Sequence, residues 1–513
     1  MLPTIVADVM PLVTPSTTAH PIHTLSPSFA SFTIDVGSIL GCLWHAHDEP
    51  FPYDSVRNLS RHLAPAYLRV GGTDADHVYY NLTATSASEF AHYGTTACDG
   101  VGALNTSALS ALASFAFDLN VTLVFGLNGG GGPRSWSTNG EAWTADNARE
   151  LIQWTAAKYP TLETMWELGN EPNLYFESAH VVSGKQLAAD FRTLASVASP
   201  TARLAGVDAA YQFPWGGELL PTTNEFAIHN GSAYASALTY HFYPLLGKRL
   251  VPFSDVWLAT PERAVSERVF ARSARVMGGV AAIGAAHGFR EVWLGEFALA
   301  AFGGAANVSD AWVGTFYYLE TLGHAARLGL GAVMRQDLSG ARYGLIDRAT
   351  LTPCPDYWAV LLWKRLMGTG VLAPTREPGG RALRDNDDDA DGEKPAGLRT
   401  YAHCVPGGGS GGATLLFINA SPKPALTRLN ASSLRPSTLA YVATAHDAAD
   451  PLHDASRIVL LGGRPLAAGP GGRVPIEGAA LESYGWKVKA SGEVEVPAWA
   501  WAFVSPLEAE ACA

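Results

Sequence analysis

The sequence predicts an α/β protein with two domains, a (β/α)8 TIM barrel followed by a C-terminal all-β sandwich. With 513 residues, the chain has room for a barrel of about 250 residues and an appended domain. Between Ser31 and Met367, short β-rich runs alternate with helical patterns, as in repeated βα units around a parallel sheet. After Leu372 the pattern changes to short strands separated by turns rich in Gly and Pro.

Eight strand candidates lie in the first region, and eight βα units predict closure into a barrel. The strand candidates are Ser31–Val36, Ala66–Gly71, Val121–Asn128, Thr164–Gly169, Ala202–Val207, Ala237–Tyr243, Glu291–Phe297 and Gly331–Asp337. Helical patterns fall between most of them, for example Thr106–Asp118, Gly184–Ala198, Ala264–Ala286 and Asp310–Leu328. We therefore predict a catalytic barrel over residues 31–371.

The remaining residues, 372–513, are predicted to form the β-sandwich. Its strand candidates include Leu398–Ala402, Ala413–Ile418, Leu439–Ala443 and Trp499–Val504. Two segments within it, Asp385–Asp391 and Gly407–Gly412, are typical of solvated loops. The acidic run is interpreted as such an insertion rather than as a metal site.

The charge and hydropathy of the chain limit the partners that it can bind. The formal net charge is −12 and the sequence pI is about 5.7, and the basic residues form only scattered pairs such as Lys248-Arg249. A polyanion such as nucleic acid would be repelled on average. The apolar runs are shorter than the roughly 20 residues of a membrane-spanning helix, so no transmembrane segment is expected.

Two sequence features concern the cellular compartment of the protein. The segment Met1–Pro27 lacks a basic region followed by an apolar run, so no signal peptide is visible in this chain. Eight asparagines nevertheless stand two residues before Ser or Thr, and such sequons predict a secreted or lumenal glycoprotein. They are Asn58, Asn81, Asn105, Asn120, Asn230, Asn307, Asn419 and Asn430.

The chain has five cysteines, Cys42, Cys98, Cys354, Cys404 and Cys512. None has Cys-x-x-Cys spacing, which argues against a zinc site. An odd number leaves at least one thiol unpaired. A bridge between Cys404 and Cys512 would tie the end of the chain to its own domain.

Two strand candidates end in glutamate. The fourth runs through Thr164-Met165-Trp166-Glu167-Leu168-Gly169-Asn170-Glu171-Pro172, and the seventh runs from Glu291 to Gly295-Glu296-Phe297. Active sites of TIM barrels lie at the carboxyl ends of the strands. Glu171 and Glu296 are therefore the catalytic candidates, whereas Glu167, inside its strand, is expected in the barrel interior.

Glycoside cleavage needs one carboxylic acid to protonate the leaving oxygen and one carboxylate opposite it, about 5–5.5 Å apart when configuration is retained. Strands four and seven lie across the mouth of an eight-stranded barrel, where two Glu side chains can reach that separation. Asn170 is placed to donate to the sugar 2-hydroxyl, a contact that strengthens in the transition state. The alternative is that both glutamates merely cap loops.

Other strand ends supply candidate subsites. Asp35 and Thr73 follow the first two strands, Tyr243 ends the sixth, and Gln336 and Tyr343 follow the eighth. His241 is interpreted as an orienting histidine, because two carboxylates already fill the acid and base roles. No phosphate-binding or dinucleotide-binding fingerprint occurs. We expect no cofactor and no catalytic metal.

The ordered motifs resemble the heparanase-type β-glucuronidases of glycoside hydrolase family 79, over roughly Ser31 to Leu372 and more loosely beyond. The resemblance is carried by Thr33-Ile34-Asp35, Ala66 through Thr73, Trp166 through Asn173, Trp293-Leu294-Gly295-Glu296, Met334-Arg335-Gln336 and Pro355-Asp356-Tyr357-Trp358. It implies a barrel plus sandwich, with a strand from residues 1–30 joining the sandwich. It also implies a disulfide between Cys404 and Cys512.

By position, the resemblance makes Glu171 the acid/base and Glu296 the nucleophile. It implies that Asp35, Thr73, Asn170 and Tyr243 hold the glucuronic acid ring and the nucleophile. It further implies that Gly303, Gly304 and Tyr343 bind the sugar carboxylate, since glycine lets backbone N–H groups approach an anion closely.

The chain departs from the family in ways that concern the substrate. The stretches Thr95–Leu104 and Ala209–Leu220, which correspond to basic clusters that suit heparanase to a sulfated polyanion, contain no Lys or Arg. Asp74 stands where the mammalian endo-enzyme has a basic residue, and Gly37 stands where Asn is common. The segment between Gly102 and Ser107 lacks the long linker that is excised from the mammalian proenzyme, so no proteolytic activation is expected.

The leading hypothesis is a retaining, exo-acting, metal-independent β-glucuronidase that acts on glucuronides or glucuronic-acid side chains of plant or algal type. Three alternatives remain open. They are an endo-β-glucuronidase of heparanase type, a related retaining hydrolase for neutral sugars, and a catalytically silent carbohydrate-binding relative. The presence of both carboxylates argues against the last.

Overall fold

The computed structural model describes residues 12–41, 51–82, 102–130, 133, 142–178, 181–212, 221–249, 252–375, 393–407 and 411–513. Cys42, Cys98 and the acidic run Asp385–Asp391 lie outside these residues, as do parts of the two stretches without basic residues, Thr95–Leu104 and Ala209–Leu220.

The first part of the described chain, as far as residue 366, contains both strands and helices. In order, they are β1 Leu12–Val13, β2 His23–Thr24, β3 Ala30–Asp35, α1 Val36–Leu40, α2 Tyr53–Arg61, β4 Tyr67–Gly71, β5 Tyr79–Asn81, β6 Ala103–Asn105, α3 Thr106–Leu119, β7 Thr122–Leu127, α4 Asp146–Lys158, β8 Thr164–Leu168, α5 Gly184–Val197, β9 Arg203–Gln212, α6 Pro221–Ile228, β10 Ala237–Tyr243, β11 Leu245–Leu246, α7 Pro261–Ala264, α8 Glu267–Ala286, β12 Glu291–Phe297, β13 Ala300–Ala301, α9 Gly314–Leu328, β14 Ala332–Arg335 and α10 Pro355–Leu366.

The rest of the described chain is built of strands and short turns. They are β15 Gly370–Leu372, β16 Gly397–Cys404, β17 Gly412–Ala420, β18 Ala425–Leu429, β19 Leu434–Ala445, β20 Val459–Leu461, β21 Arg464–Pro465, β22 Trp486–Lys487, β23 Glu493–Val496 and β24 Ala500–Glu508.

Eight of the described strands form a closed parallel barrel in the order β3-β4-β7-β8-β9-β10-β12-β14. β14 pairs with β3 and so closes the ring. Every barrel strand overlaps one of the eight predicted strands, and β10 and β12 coincide with two of them. The predicted (β/α)8 fold is confirmed.

The barrel interior changes from apolar to charged along its axis. Side chains two positions apart on a strand point to the same face, so successive inward residues form layers. Near the amino ends of the strands, Tyr67, Met165 and Trp293 fill the interior, and the rings of Tyr67 and Trp293 lie 4.7 Å apart. Two residues further along their strands, Arg69 and Glu167 point into the same interior and are completely buried. The apolar layer therefore forms the floor of a charged site.

Strands β2, β15, β16, β17, β24, β19, β20 and β21 form one sheet in that order, with β22 paired to β19. Strands β1, β18 and β23 form a second sheet. The N-terminal strands thus pair with strands of the C-terminal region, β1 with β18 and β2 with β15. We retain the division into residues 1–30, 31–371 and 372–513 as a proposal, which these pairings support.

Barrel and sandwich meet through aromatic residues. Trp312, before α9, stacks on Trp501 of β24 with ring centroids 5.5 Å apart. The indole N–H of Trp312 donates to the Trp499 carbonyl (3.0 Å), and that of Trp501 donates to Thr315 Oγ1 (3.0 Å). Both indole donors are therefore satisfied inside an apolar contact, which fixes the two domains against each other.

Within the described ranges, α8 is the one helix whose length and apolar composition would suit a membrane span. It follows β10 and precedes β12, and one face, including Val276, Met277 and Val280, is buried within the protein. This half-buried arrangement is that of a barrel helix.

The structure contains a disulfide between Cys404 and Cys512, whose Cα atoms lie 5.5 Å apart. It links β16 to the last residues of the chain. Cys354 is a free, buried thiol at the start of α10.

Candidate active site

A cavity of about 140 Å³ lies at the carboxyl ends of the barrel strands. It is lined by Asp35, Gly72, Thr73, Asn170, Glu171, Leu174, Tyr243, Glu296, Ala301, Phe302, Gly303, Gln336, Ala341 and Tyr343. All the predicted catalytic and substrate-binding residues are among them except Gly304. Side chains far apart in the sequence are thus gathered around one space large enough to hold a ligand.

Gly304 lies behind the cavity wall rather than in it. Its φ of 78° is left-handed, and a Cβ on it would lie 3.1 Å from Cδ1 of Tyr343. Glycine is therefore required here for the close approach of the Tyr343 ring. Its neighbour Gly303, with a φ of 82°, lines the cavity and is the member of the pair placed to contact a ligand.

Glu296 is held by a donor on each carboxylate oxygen. Arg69 Nη1 donates to Oε2 at 2.8 Å, and the Tyr243 hydroxyl donates to Oε1 at 2.5 Å. The side chain is almost completely buried. A buried carboxylate that accepts one hydrogen bond from a cation and one from a phenol is stabilised in its charged form. This is the state that a nucleophile needs.

Glu171 occupies a different electrostatic environment. It has a left-handed φ of 52°, and its backbone N–H donates to the Asp208 carbonyl at 3.0 Å, which fixes the turn after β8. Its Oε1 lies 3.1 Å from Nδ1 of His241. Burial raises the pKa of Glu171 above its usual value, although the hydrogen bond and charge of His241 oppose the shift. A carboxyl with a raised pKa can act as a general acid near neutral pH.

One carboxylate oxygen from Glu171, one from Glu296 and a ring nitrogen of His241 all lie within 4.8 Å of one another. Such a group could in principle hold a metal ion. Burial alone would lower the pKa of His241, but the charge of Glu296 and the hydrogen bonds to Asp208 and Glu171 raise it to about 10. A protonated imidazole donates hydrogen bonds from both ring nitrogens, so in this state His241 is a donor to the Glu171 carboxyl.

Arg69 was missed as a functional residue by the sequence analysis, although it stands inside the quoted motif of β4. Besides Glu296, it donates through Nε to Glu167 Oε2 (2.8 Å) and through Nη2 to Asn170 Oδ1 (3.1 Å). Its side chain is completely buried. The available signal was a charged residue in the middle of an apolar strand, because a fully buried arginine requires anionic partners.

Asp208 of β9 was also missed. It is completely buried and approaches His241 Nε2 at 3.4 Å and Arg69 Nη2 at 3.7 Å. Burial tends to raise the pKa of Asp208, but Arg69 and His241 outweigh it and the pKa is lowered. Its negative charge orients the imidazole of His241 toward Glu171. The available signal was its position directly after the predicted strand Ala202–Val207, where polar residues of a barrel are site candidates.

Comparison with known proteins agrees with this geometry. The family model described as glycosyl hydrolase family 79, N-terminal domain, matches residues 54–323. Heparanase of Gallus gallus is 30% identical over 461 residues, which cover 78% of this chain and 79% of the heparanase. The chain belongs to glycoside hydrolase family 79. The predicted family is confirmed, and the protein is a glycoside hydrolase.

Two further comparisons place the family 79 chain more broadly. Heparanase-like protein 1 of Arabidopsis thaliana is 28% identical over 411 residues, covering 74% of this chain and 69% of its own. Among solved structures, a 4-O-α-L-rhamnosyl-β-D-glucuronidase from Fusarium oxysporum aligns with a TM-score of 0.66 at 16% identity, covering 97% of this chain and 100% of its own. This last likeness concerns the fold.

In the family 79 site, Asn170 is fixed by its surroundings. Its backbone N–H donates to Asp76 Oδ2 at 2.8 Å, and its Oδ1 accepts from Arg69 and from the backbone N–H of Gly72 (3.1 Å). The amide oxygen is therefore used on the protein side. The amide NH₂ group is left to face the cavity, where it can donate to a sugar hydroxyl.

Asp35 and Gln336 form the opposite wall. Gln336 Nε2 donates to Asp35 Oδ2 at 3.4 Å, and the Thr33 hydroxyl donates to Gln336 Oε1. The backbone N–H of Gly37 donates to Asp35 Oδ1 at 2.8 Å. Thr73, next to this wall, lines the cavity from the turn after β4. These residues present several polar groups to a ligand on the side of the cavity away from Glu171.

The described lining of the cavity contains no Lys or Arg. A basic group lies nearby: the exposed Lys248 has its Nζ 5.7 Å from the ring centroid of Phe302, a lining residue. The absence of basic residues from the wall itself agrees with the charge pattern of the sequence. The hydrogen-bond donors that the described lining residues offer to an anionic ligand are neutral.

The eight sequon asparagines differ in exposure. Asn81 and Asn419 are buried, and Asn419 Nδ2 donates to three backbone carbonyls. Asn58, Asn120, Asn230 and Asn307 are exposed, whereas Asn105 and Asn430 are half-buried and cap α3 and a short turn. A buried, bonded amide has no room for a glycan. Burial therefore argues against two of the eight predicted positions.

Proposed function

We propose that the protein is a retaining β-glucuronidase, in which Glu296 attacks the anomeric carbon and Glu171 first donates and then accepts the proton. The observation that carries this proposal is the contrast between the two carboxyls. Glu296 accepts from Arg69 and Tyr243 at 2.8 and 2.5 Å, whereas burial raises the pKa of Glu171. Two carboxyl groups whose environments favour opposite protonation states are the requirement of double displacement.

The spacing of the pair supports retention of configuration. Oxygens of Glu171 and Glu296 lie within 4.8 Å of each other. Retaining glycosidases hold their carboxyl groups about 5–5.5 Å apart, whereas inverting enzymes need about 6.5–9.5 Å to admit a water molecule. Attack by Glu296 forms a glycosyl ester as Glu171 protonates the departing oxygen, and Glu171 then activates the water that hydrolyses the ester.

The proposal assigns the sugar carboxylate to the wall formed by Gly303 and Tyr343, with Gly304 supporting the tyrosine. Burial, and next the charge of Asp337, raises the pKa of the Tyr343 phenol well above its usual range, so that it stays a neutral hydrogen-bond donor. Backbone N–H groups and a phenol can bind a carboxylate without a cation. Asp35, Thr73, Asn170 and Gln336 would then hold the ring hydroxyls.

Exo action is favoured by the cavity. Its described wall has no Lys or Arg, and its volume is about 140 Å³. Both features suit one sugar ring better than a long sulfated chain. Endo action remains the alternative. The exposed sequons favour a secreted or lumenal glycoprotein.

The experiment is hydrolysis of a chromogenic β-glucuronide, with the matching β-glucoside and β-xyloside as controls for the sugar carboxylate. We expect selective cleavage of the glucuronide, with the β-anomer as the first product by NMR. Glu296→Gln should reduce turnover to background. Glu171→Gln should reduce it by roughly 10²–10⁴-fold. Glu150→Gln, an exposed change on α4, is the matched control and should behave as wild type.

Other results of this experiment would contradict specific parts of the proposal. Cleavage of the neutral glycosides alone would contradict the glucuronide specificity and leave the barrel chemistry intact. An α-anomer as first product would contradict retention. Binding of the glucuronide without turnover by any preparation would favour the silent carbohydrate-binding alternative.

A further inference from the structure

Two loops of the barrel carry the residues that the proposed function assigns to the sugar carboxylate. Residues 302–313, between β13 and α9, include Gly303 and are called the glycine loop. Residues 336–354, between β14 and α10, include Tyr343 and are called the tyrosine loop. Beside the catalytic cavity, the backbone N–H of Arg342 donates to the carbonyl of Gly303 at 3.0 Å. The relative position of the two loops therefore sets the shape of this wall.

A second cavity, of about 160 Å³, adjoins this wall. Ala341 lines both cavities, and Gly340 and Arg342 line the second. A close-packed wall is held in place by many small dispersion contacts. At Ala341 the tyrosine loop has a cavity behind it instead, so its position depends on the bonds that hold the loop elsewhere.

Arg457 joins the two loops at the second cavity. Its Nη1 donates to Oδ2 of Asp347 in the tyrosine loop at 2.7 Å, and its Nη2 donates to Oδ2 of Asp310 in the glycine loop. All three side chains line this cavity. A guanidinium can bind two carboxylates at once through separate N–H groups. Two carboxylates that share one guanidinium repel each other once it is removed.

Each aspartate uses its other carboxylate oxygen to bind the backbone of its own loop. Asp310 Oδ1 accepts from the backbone N–H of Asn307 at 2.7 Å. Asp347 Oδ1 accepts from the backbone N–H and from the hydroxyl of Thr350, both at 2.8 Å. The bridge through Arg457 therefore connects the backbones of the two loops and not merely two side chains.

Arg457 itself belongs to the sandwich, in the loop between β19 and β20. Asp454, which is buried, holds this loop by accepting from the backbone N–H groups of His446 (2.7 Å) and Ser456 (2.8 Å). Arg457 has a left-handed φ of 59°, a conformation that a residue other than glycine keeps only when its surroundings stabilise it. The sandwich thus presents the guanidinium from a fixed backbone.

We propose that Arg457 is a positioning residue, contributed by the sandwich, which holds the glycine loop and the tyrosine loop at the separation that substrate binding needs. The inference rests on the proposed function, because that function places the substrate against Gly303 and Tyr343. It gives the second domain a direct part in forming the catalytic cavity. Removing the bridge lets the two loops move apart and weakens the contacts of their wall with the sugar.

The predicted effect is on substrate binding and not on the chemical step. Glu296 is held by Arg69 and Tyr243, and the backbone N–H of Glu171 is held by the Asp208 carbonyl. None of these residues lies in the two loops. A change confined to the wall removes interactions that the ground state and the transition state share. Such a loss raises KM with little effect on kcat.

The test measures kcat and KM of the full chain on the chromogenic β-glucuronide. In Arg457→Met, we expect KM to rise about tenfold or more while kcat changes by less than about threefold. Asp347→Asn breaks the same bridge from the barrel and keeps an oxygen for the bonds to Thr350. It should show the same separation of KM from kcat, and it is the second variant if Arg457→Met does not fold. Thermal unfolding of each variant confirms that it is folded.

A double variant tests whether the two residues act through one bridge. If they do, Arg457→Met combined with Asp347→Asn should raise KM no further than the larger single effect, whereas independent contributions would multiply. The control is Glu262→Gln on α7. Glu262 Oε1 lies 2.9 Å from Nε2 of His453, which is a contact of the barrel with the same sandwich loop. Its kcat and KM should be those of the wild type.

A wild-type KM in both Arg457→Met and Asp347→Asn would overturn the proposal. A fall in kcat at constant KM, an equal rise of KM in Glu262→Gln, or effects that multiply in the double variant would also overturn it. Failure of the proposed function is a different result, because the wild type would then cleave a neutral glycoside and not the glucuronide. In that case the same comparison of KM values, made with the neutral glycoside, decides the role of Arg457.

Discussion

Arg69 Nη1 lies 2.8 Å from Oε2 of Glu296, and the same guanidinium binds Glu167 and Asn170. One buried cation therefore connects the candidate nucleophile with the carboxyl end of β8, where Glu171 also lies. The two candidate catalytic glutamates come from different strands of the barrel, and Arg69 on β4 bridges those strands through Glu167 and Glu296.

Replacing Arg69 by Met should abolish measurable activity and destabilise the fold. The substitution leaves Glu167, Asp208 and Glu296 without their buried cation, and the loss of one partner from such a cluster costs roughly 3–5 kcal/mol. The free energy of unfolding by urea and the turnover of the glucuronide measure both effects. The control is Arg149→Met, which removes an exposed ion pair with Asp146 on α4. A stable and active Arg69→Met would refute this role.

Replacing Tyr243 by Phe should lower kcat on the glucuronide by roughly 10–100-fold while the fold is retained. The hydroxyl donates to Glu296 Oε1 at 2.5 Å, and a hydrogen bond to a charged group contributes about 1.5–3 kcal/mol. Tyr211→Phe, which loses a buried hydroxyl bonded to Thr223 (2.7 Å), is the matched control. Equal effects of the two substitutions would show that the bond to Glu296 has no special importance.

Activity should fall as the pH rises through the pKa of Glu171, because the acid step needs its protonated form. Burial raises that pKa, and His241 opposes the shift. In His241→Gln the pKa of Glu171 should therefore rise further, and the alkaline limb of kcat/KM should move to higher pH. A limb that moves toward acid, or stays in place, would contradict the assignment of this limb to Glu171.

Removing the Cys404–Cys512 disulfide with the double variant Cys404→Ser and Cys512→Ser should lower stability and preserve activity at room temperature. The bridge closes a chain separation of 108 residues, and loss of such a link costs about 2–5 kcal/mol. Urea unfolding and glucuronide turnover provide the measurements. Cys354→Ser is the control for a buried thiol outside the bridge. Loss of activity in the folded double variant would indicate that the sandwich influences the site.

Expression through a eukaryotic secretory pathway should add glycans at Asn120, Asn230 and Asn307 and leave Asn81 and Asn419 unmodified. The first three are exposed residues with left-handed φ angles of 54°, 66° and 60° at turns, and the last two are buried. Glycopeptide mass spectrometry of the intact sites provides the measurement. A glycan on Asn81 or Asn419 would mean that these segments differ in the secreted protein.

The strand pattern was enough to predict the barrel. Apolar runs such as Ala237–Tyr243 are buried on both faces and separated by helical segments, and this alternation depends on local sequence alone. Glu171 and Glu296 could be identified for the same reason. Each stands at the end of such a run, and in a closed barrel all strand ends meet at one mouth.

The roles of Arg69 and Asp208 could not be assigned in this way. Their importance comes from contacts across the barrel, as in the approach of Arg69 to Glu296, 227 positions away.

The sequence by itself thus determined the architecture, because periodicity is a local property, and its ordered motifs indicated the family. Strand-end position made Glu171 and Glu296 the candidate catalytic pair. Only the tertiary structure decided which carboxyl is bound by Arg69 and Tyr243 and which asparagines are exposed. These depend on burial and on distances of a few ångströms between residues far apart in the chain, where electrostatic energies change steeply.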